Sequence, residues 1–353
     1  MDAKDYLKDY LKKAAPILAN FFKEKEKEAA KISPLTAEMM GIYLKFMGGK
    51  NIRGALTKLG YECFGGKDEK AILEASLMVE ITHAFLLMHD DIMDQDSLRR
   101  GMPTIHTQYE NLHQERYSKG NPKHYGICMA LDLGDAGFAL SHLILADAKF
   151  SAEIKERVLR RFNEQILTTA FGQAIDILYE HQDKVAEEDV MKVHHYKTAN
   201  YTITGPLQYG ALFAGASGKE IQKIEKYGLP VGIAFQLRDD ELGLFSDEEK
   251  LGKPIGSDIR ENKNTILHLK SLELAGREDK KFLKYAYGNR NLMADEVRKV
   301  QEITMESGAL SYSQKLAREL VEKGKKFVPQ ITAHLGPQDT LYRMADFMIE
   351  RES

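Results

Sequence analysis

The chain has 353 residues, with 50 Lys and Arg against 53 Asp and Glu and a formal net charge of −3. So small a net charge gives no overall basic field, which argues against a protein that binds nucleic acid or an anionic membrane through bulk electrostatic attraction. The two cysteines, Cys63 and Cys128, form no CxxC or Cys/His pattern, so we expect reduced thiols in a cytoplasmic protein rather than a disulfide or a metal site.

The predicted elements are almost all helices. In residues 5–30, apolar side chains such as Tyr6, Tyr10 and Leu18 recur at steps of three and four residues, with Lys and Glu between them and no apolar core typical of a signal peptide. The same spacing predicts helices in 69–95, 134–149, 152–181, 187–216, 219–245, 296–307 and 310–334. Strand signals are nearly absent, and no run of 18 apolar residues predicts a membrane span.

Turn-rich stretches separate these helices. They cover residues 64–67, 113–125, 246–264, 287–292 and 335–339. Because none is long or repetitive enough to be a flexible linker between domains, the sequence predicts one compact all-α domain over residues 1–353.

Residues 71–93 are apolar on nearly every side and are followed abruptly by acidic residues. Such a helix is typical of a buried, central element, where Asp90, Asp91 and Asp94 are costly unless a cation meets them. Asp90 and Asp94 lie one helical turn apart, and hard oxygen ligands at this spacing suit Mg²⁺. For this motif alone, a solvated acidic helix end remains the alternative.

A second acidic pair, Asp239 and Asp240, also follows an apolar helical stretch. Two acidic helix faces opposed across a cavity could hold several Mg²⁺ ions that bridge a diphosphate, which neither face could hold alone. Cations accompany the two clusters: Lys50, Arg53, Arg99, Arg100, Lys197, Lys253 and Lys263. Each cation taken singly is better explained by a surface salt bridge, but together they indicate two anionic substrates.

In its order of motifs the sequence resembles the trans-isoprenyl diphosphate synthases (polyprenyl synthetases), in particular the short-chain archaeal-type geranylgeranyl and farnesyl diphosphate synthases. The resemblance rests on GGKNIRG at 48–54, ExxHxxxLxxDD at 80–91, DDIMDQDSLRRGMPT at 90–104, LGDAGFA at 133–139, YKTA at 196–199, FQLRDD at 235–240, GKPIGSDIRENKNT at 252–265 and the C-terminal YRMADFMIERES. It implies an isoprenoid-synthase helical bundle around a deep central cavity.

The resemblance also implies a role for individual residues. Magnesium would be held by Asp90, Asp94 and Asp239, with Asp91 and Asp240 in support. The allylic diphosphate would bind Arg99, Lys197 and Lys253, with Lys263 as a further contact, and isopentenyl diphosphate would bind Lys50, Arg53, His83 and Arg100. Phe235 and Gln236 would contact substrate, and Lys197, Thr198 and Gln236 would stabilise the allylic cation.

The implied reaction is the head-to-tail (1'-4) condensation of isopentenyl diphosphate with an allylic diphosphate. The allylic C–O bond ionises when cations neutralise the departing diphosphate, and the double bond of isopentenyl diphosphate then attacks. The released diphosphate takes up the proton lost in the last step. No protein nucleophile is needed, and we find no Ser-His-Asp or Cys-His arrangement. The remaining histidines, among them His194 and His195, receive no role.

Two positions depart from the family pattern. Position 51 is Asn where the family commonly has Arg, which removes or weakens one diphosphate contact. The second acidic motif ends in Gly243 rather than Asp, and Glu241, Asp247 or Asp258 could compensate.

Product length should depend on the helix before Asp90, along which the growing tail would run. Phe85 lies five residues before Asp90, with the smaller Leu86 beside it. A single aromatic residue five positions before the first acidic motif makes a sequence resemble the geranylgeranyl synthases of the family. Two adjacent aromatic residues at this point make it resemble the farnesyl synthases. We therefore expect geranylgeranyl diphosphate as the product, with a farnesyl or longer-chain product, or a Phe85 that is ordinary core, as alternatives.

Three other functions are alternatives. A terpene cyclase or head-to-head condensing enzyme also uses Asp-rich motifs, but a cyclase needs no second diphosphate site. A non-catalytic partner subunit would be expected to lose the first acidic cluster or the RRG segment. A helical scaffold would leave buried carboxylates without a cation. The family is usually dimeric, and the apolar segment 126–149 could pack against a second copy, so we expect a homodimer without nucleic-acid partners.

Overall fold

The computed structural model describes residues 2–182, 184–246 and 255–352. Within this part of the chain there are two strands, β1 (Leu98–Arg99) and β2 (Met102–Pro103), each of two residues. They pair antiparallel, with Leu98 opposite Pro103. All other regular elements described are helical. The all-α prediction is confirmed.

Contacts group the described residues into two compact units. The first unit contains the residues up to Arg160 and Tyr209–Ala216, and the second contains Arg161–Gln208 and the residues from Ser217 onward. That the whole chain forms one domain stays a prediction.

The helices of the first unit frame its core. They are α1 (Ala3–Ala30), α2 (Pro34–Phe46), α3 (Ile52–Cys63), α4 (Glu69–Met93), α5 (Ile105–Arg116) and α6 (Pro122–Asp147), and α7 (Ala152–Glu180) begins in this unit and ends in the second. The turn predicted for 113–125 is wrong at both ends, because residues 113–116 belong to α5 and residues 122–125 belong to α6. Asn121 caps α6 by accepting from His124 N, and Pro122 occupies the first helical turn, where no N–H is needed.

Helix α4 is the buried element that its apolar sequence predicts. It starts after Asp68, whose carboxylate accepts a hydrogen bond from Ala71 N at 3.0 Å. It packs closely on α6, because glycines of α6 leave room for its side chains. A Cβ on Gly134 would stand 2.1 Å from Nε2 of His89, and one on Gly137 would stand 2.8 Å from Cβ of Phe85.

By length and composition alone, α4 and α6 could each cross a membrane, which the sequence analysis did not anticipate. In α4, 78% of the most apolar 18-residue window is buried inside the protein, and in α6 the share is 44%. A mostly buried helix of this kind is also what the core of a water-soluble protein contains. For α4, burial therefore explains the apolar composition.

The second unit is built around a long helix that carries the second acidic pair. Its elements are α8 (Glu187–Val193), a π-helix (His194–Thr204), α9 (Gly205–Phe213, which continues into the first unit), α10 (Gly218–Phe245), α11 (Ser257–Arg260), α12 (Ile266–Leu274), α13 (Arg277–Ala286), α14 (Ala294–Glu306), α15 (Ala309–Lys325), α16 (Val328–Ile331) and α17 (Leu335–Glu350). The single helix predicted for 187–216 is thus divided by a π-helical segment, a feature that often marks functional sites. The break predicted at 335–339 is wrong, because Pro337 falls in the first turn of α17.

We predict that Gly137→Ala destabilises the protein. The new Cβ would stand 2.2 Å from the Tyr43 hydroxyl oxygen, which itself donates to the Ile81 carbonyl, so neither side can give way cheaply. Overpacking of this kind costs about 1–3 kcal/mol, measurable as a lower thermal unfolding midpoint. Gly41→Ala is the matched control, because a Cβ there meets nothing within 4 Å and alanine favours the helix. A Gly137→Ala protein as stable as wild type would contradict this account of the α4–α6 contact.

Candidate active site

The first acidic cluster lies in the last turn of α4. Asp91 is fully buried and Asp90 is largely buried, while Asp94 is the residue that ends the helix, with its N–H bonded to the Asp90 carbonyl at 2.8 Å. Burial raises the pKa of the Asp91 carboxyl, and the positive charge of Arg99 opposes this rise. The end of this apolar helix therefore concentrates negative charge where water is scarce.

Arg99 in β1 meets these carboxylates. Its Nε donates to Asp91 Oδ1 at 2.5 Å, and its terminal nitrogen lies 3.9 Å from Asp90 and 3.7 Å from Asp96. The short hairpin of β1 and β2 thus places the Arg99 guanidinium beside the acidic cluster, which precedes the hairpin in the sequence. The second oxygen of Asp91 is buried and accepts no hydrogen bond within the described residues.

A separate small pocket opens beside α4, one to two turns before the acidic cluster. It is lined by Phe46, Met47, Gly48, Asn51, Glu80, His83, Ala84, Leu87 and Arg100. The pKa of His83 is lowered well below its ordinary value, first by burial and then by the positive charges of Arg53, Arg100 and Arg99. His83 is therefore neutral at neutral pH, in a positive environment suited to an anion.

The loop before α3 gives this pocket its shape. Gly49 has φ +95° and Asn51 has φ +47°, and a Cβ on Gly49 would stand 3.0 Å from a nitrogen of the Arg100 guanidinium. The buried Glu80 carboxylate accepts a hydrogen bond from Gly54 N at 2.6 Å, which fixes the start of α3. Arg53 is buried and Arg100 is exposed, so the predicted cations of this pocket differ in their access to water.

The second acidic pair, on α10, is embedded in a hydrogen-bond network. Asp240 is buried, accepts from Gln236 Nε2 at 2.7 Å and lies 3.3 Å from His194 Nε2. Gln236 in turn accepts from the Thr198 hydroxyl at 2.8 Å. The amide of Gln236 is therefore held between the π-helix and the acidic pair, and its contact with substrate stays a prediction.

Asp239 is more exposed and forms an ion pair with Arg351. The guanidinium of Arg351 also lies 4.1 Å from the centre of the Phe235 ring, and the side chain is almost wholly buried. Sequence reasoning gave Arg351 no role. The only signal was a cation at the end of the C-terminal motif.

Two of the predicted substrate lysines share one carboxylate that sequence reasoning missed. Lys197 lies 2.6 Å from Asp176 and Lys263 lies 3.4 Å from it, and Lys263 also pairs with Glu180. Burial alone would raise the pKa of Asp176, but the two ammonium groups outweigh it and lower that pKa below its ordinary value. A single Asp in α7 gives no sequence signal that two lysines lie beside it.

Close backbone packing makes these pairs possible. A Cβ on Gly172 of α7 would stand 2.4 Å from the backbone nitrogen of Lys197, so only glycine allows α7 to approach the π-helix this closely.

Of the other residues predicted for the second acidic site, Lys253 and Asp247 lie outside the described residues. The Oε1 atom of Glu241 already has two partners: Arg238 Nη1 at 2.6 Å and Gln314 Nε2 at 2.8 Å.

The predicted chain-length residue Phe85 is buried in the first unit. Its ring meets Phe138 of α6 edge to face at a centroid distance of 5.7 Å, and Leu86 beside it is half-buried. Edge-to-face aromatic contacts add to the stabilisation that burial provides. Phe85 of α4 is therefore packed against α6, five residues before Asp90.

Whether these acids suit magnesium depends on the coordination that Mg²⁺ prefers. Within the described residues, no group of three or more His, Cys, Asp or Glu side chains is arranged to hold a metal ion. Mg²⁺ does not require one, because it keeps several waters and usually binds through one or two carboxylates plus substrate phosphates. The oxygen-only donors of both acidic pairs, and the unsatisfied buried oxygen of Asp91, fit an ion that arrives with a diphosphate.

Comparison with known proteins gives a consistent result. The polyprenyl synthetase family model matches residues 34–304. The chain is 33% identical over 307 residues to the geranylgeranyl diphosphate synthase of Sulfolobus acidocaldarius (86% of this chain, 87% of the relative). It is 34% identical over 323 residues to the short chain isoprenyl diphosphate synthase of Methanothermobacter thermautotrophicus (91% and 92%).

A solved structure agrees with these matches. The crystal structure of the geranylgeranyl pyrophosphate synthase from Corynebacterium glutamicum, complexed with isoprenyl diphosphate and magnesium, superposes with a TM-score of 0.93 at 29% identity and covers 99% of this chain and 100% of that one. The resemblance drawn from the motifs is confirmed. The chain belongs to the polyprenyl synthetase family and is a prenyltransferase.

Proposed function

We propose that the protein condenses isopentenyl diphosphate head to tail with allylic diphosphates, and that geranylgeranyl diphosphate is its main product. One observation carries the reaction. The same helix, α4, presents a carboxylate cluster suited to a metal-bound diphosphate and, seven residues earlier, His83 in a separate cationic pocket. Seven helical residues span about 10 Å, enough to separate two diphosphate groups.

The two anion sites would be used differently. For the allylic diphosphate, Asp90, Asp91 and Asp94 of the first unit and Asp239 and Asp240 of the second unit would each hold Mg²⁺. Magnesium, when bound, neutralises negative charge on the departing diphosphate. Arg99, beside the first acidic set, and Lys197 and Lys263, which share Asp176, would add positive charge for the allylic diphosphate, and Lys253 joins them by resemblance. Isopentenyl diphosphate binds in the pocket of His83 and Arg100, with Lys50 and Arg53 alongside.

The protein's part in the chemistry is to hold charge and exclude water. Gln236 is fixed by bonds from Thr198 and to Asp240, so its amide oxygen keeps one orientation while positive charge develops on the allylic carbon. The released diphosphate removes the final proton. No covalent step on the protein is required, which agrees with the absence of a nucleophile–base pair among the assigned residues.

The alternatives lack a matching feature. A cyclase would have no use for the pocket of His83 and Arg100, which is separate from the carboxylates. A silent partner subunit would not be expected to keep a buried Asp91 paired with Arg99. Among condensing enzymes, a farnesyl or longer-chain synthase differs from this proposal only in product length.

We further propose that the enzyme works as a soluble cytoplasmic homodimer, with no nucleic-acid partner and no membrane span of its own. Helix α6 exposes Leu131, Phe138 and Leu143, apolar side chains that a second copy could cover. Sedimentation velocity tests this: a single species of twice the chain mass supports it, and a monomer at micromolar concentration contradicts it.

The first measurement incubates the purified protein with Mg²⁺, radiolabelled isopentenyl diphosphate and each allylic diphosphate from dimethylallyl to geranylgeranyl, with products resolved by length. We expect chain extension that ends mainly at geranylgeranyl diphosphate. A folded protein that binds diphosphates but extends none of the starters would overturn the proposed reaction.

Asp90→Ala and Asp239→Ala should each lower turnover by at least about a hundredfold, because neutralisation of the leaving diphosphate is lost. The fold should change little, since both side chains are partly exposed. The readouts are incorporation of labelled isopentenyl diphosphate and the thermal unfolding midpoint. Glu302→Ala removes an exposed carboxylate of α14 and should behave as wild type. Full activity in either Asp variant would rule out the metal assignment for that cluster.

Phe85→Ala should lengthen the product, because it removes the ring that we propose limits the growing tail. The product distribution by chain length is the readout. Phe162→Ala also removes a buried ring, but on α7, and should reduce stability without changing the product. If the product of Phe85→Ala is unchanged, Phe85 is ordinary core rather than the limit on chain length.

A further inference from the structure

The C-terminal end of α7 has backbone carbonyls that need partners from outside the helix. The last four carbonyls of an α-helix have no donor within it, so another part of the protein or water must meet them. In α7, which ends at Glu180, two of these carbonyls accept from side-chain amides that lie 82 and 85 residues away in the sequence. A distant segment therefore caps this helix.

The two amides belong to Asn262 and Asn264, in the segment between α11 and α12. Asn262 Nδ2 donates to the Glu180 carbonyl at 2.9 Å, and Asn264 Nδ2 donates to the Tyr179 carbonyl at 2.8 Å. Both bonds have the ordinary length of N–H···O hydrogen bonds. Because a carbonyl can only accept, the nitrogen of each amide must face α7. The two asparagines thus hold their segment to two successive residues of one helix end.

Lys263 lies between the two asparagines, and its side chain reaches the same end of α7. Its ammonium group lies 3.4 Å from Asp176 and also pairs with Glu180, one turn further along α7. The lysine is only 9% exposed, so these carboxylates rather than water surround its charge. The end of α7 therefore binds both the ammonium group of Lys263 and the residues on either side of it.

The backbone of the segment allows both amides to face α7. Asn262 has φ +59°, in the left-handed region that Asn adopts more readily than most residues. Lys263 N donates to the Asp258 carbonyl at 2.9 Å, and Thr265 caps α12 by accepting from His268 N at 3.1 Å. Glycine would also tolerate the turn at 262, but it would bring no amide to the helix end. Asparagine supplies the turn and the amide together.

A buried histidine meets the backbone of Lys263 as well. His268 Nδ1 lies 3.2 Å from the Lys263 carbonyl oxygen, and the imidazole ring stacks on Tyr287. Burial lowers the pKa of His268 to about 4, so the ring is neutral at neutral pH and Nδ1 carries the proton that the carbonyl accepts. A lysine has a long, flexible side chain, so its charge keeps one position only when backbone and partners are both fixed.

We infer that Asn262 and Asn264 are positioning residues for Lys263, and through it for the allylic diphosphate. This role rests on the proposed function, which assigns Lys263 to that diphosphate. The amide nitrogens of both asparagines are engaged by α7, so the asparagines act by fixing where the Lys263 ammonium group stands.

The test uses full-length variants in two backgrounds. Asn262→Gly keeps the positive φ and removes only the amide, and Asn264→Ala removes the other amide. Each is made in the wild type and in Lys263→Ala. Asn20→Ala, which removes an exposed amide of α1, is the control. The KM for farnesyl diphosphate, the KM for isopentenyl diphosphate, kcat and the thermal unfolding midpoint are measured with Mg²⁺.

Each asparagine variant should raise the KM for farnesyl diphosphate about fivefold, the size expected for one lost hydrogen bond. The KM for isopentenyl diphosphate should stay within about twofold of wild type, and Asn20→Ala should behave as wild type throughout. Lys263→Ala should raise the KM for farnesyl diphosphate by itself. In that background the asparagine substitutions should add nothing further, because residues that act through one group are not additive.

A wild-type KM for farnesyl diphosphate in both asparagine variants overturns the inference. So do equal rises in both KM values, or a full further rise in the Lys263→Ala background, because the asparagines would then act on the fold and not through Lys263. Failure of the proposed function looks different: the wild type extends no prenyl chain, or Lys263→Ala keeps the wild-type KM for farnesyl diphosphate. The positioning role falls with it in that case.

Discussion

Carboxylates that are removed from water must be met by positive charge, and this requirement organises both halves of the described structure. Isolated buried charges cost several kcal/mol each, so the acidic ends of α4 and α10 can exist only with cations beside them. In the first unit the cation is Arg99, returned by a short hairpin. In the second unit, Arg351 meets Asp239, and His194 stands beside Asp240.

These internal pairs also explain how acidic sites can be kept folded before substrate arrives. Arg99 and Arg351 neutralise carboxylates that the proposed function assigns to magnesium. Lys197 and Lys263 are held by Asp176. Under the proposed function, binding would be an exchange of partners, in which protein cations pass from carboxylates to phosphate oxygens while metal ions replace them. The net cost of desolvation is smaller than if every group began unpaired.

Much of this arrangement could be predicted from the sequence, for identifiable reasons. The burial of α4 follows from a helix that is apolar on all sides, and both acidic pairs stand out because they interrupt such helices. Asp176 could not be found this way, since one Asp on α7 gives no signal until its two lysines are seen beside it. The strands at Leu98–Arg99 and Met102–Pro103 are too short to show a period. The contact of Asp258 with position 243 joins residues fifteen apart in the chain, a separation over which no local sequence pattern predicts a contact.

The π-helix at His194–Thr204 has a consequence for how this chain can vary. Its wider turn sets the rotation between α8, which precedes it, and α9, which follows. Each residue added to or removed from a helix rotates everything beyond it by about 100°. A one-residue deletion that restored ordinary α-helical winding would turn Lys197 and Thr198 away from Asp176 and Gln236, even if every side chain were kept. The length of this stretch is therefore a constraint in its own right, separate from the identity of the side chains that it carries.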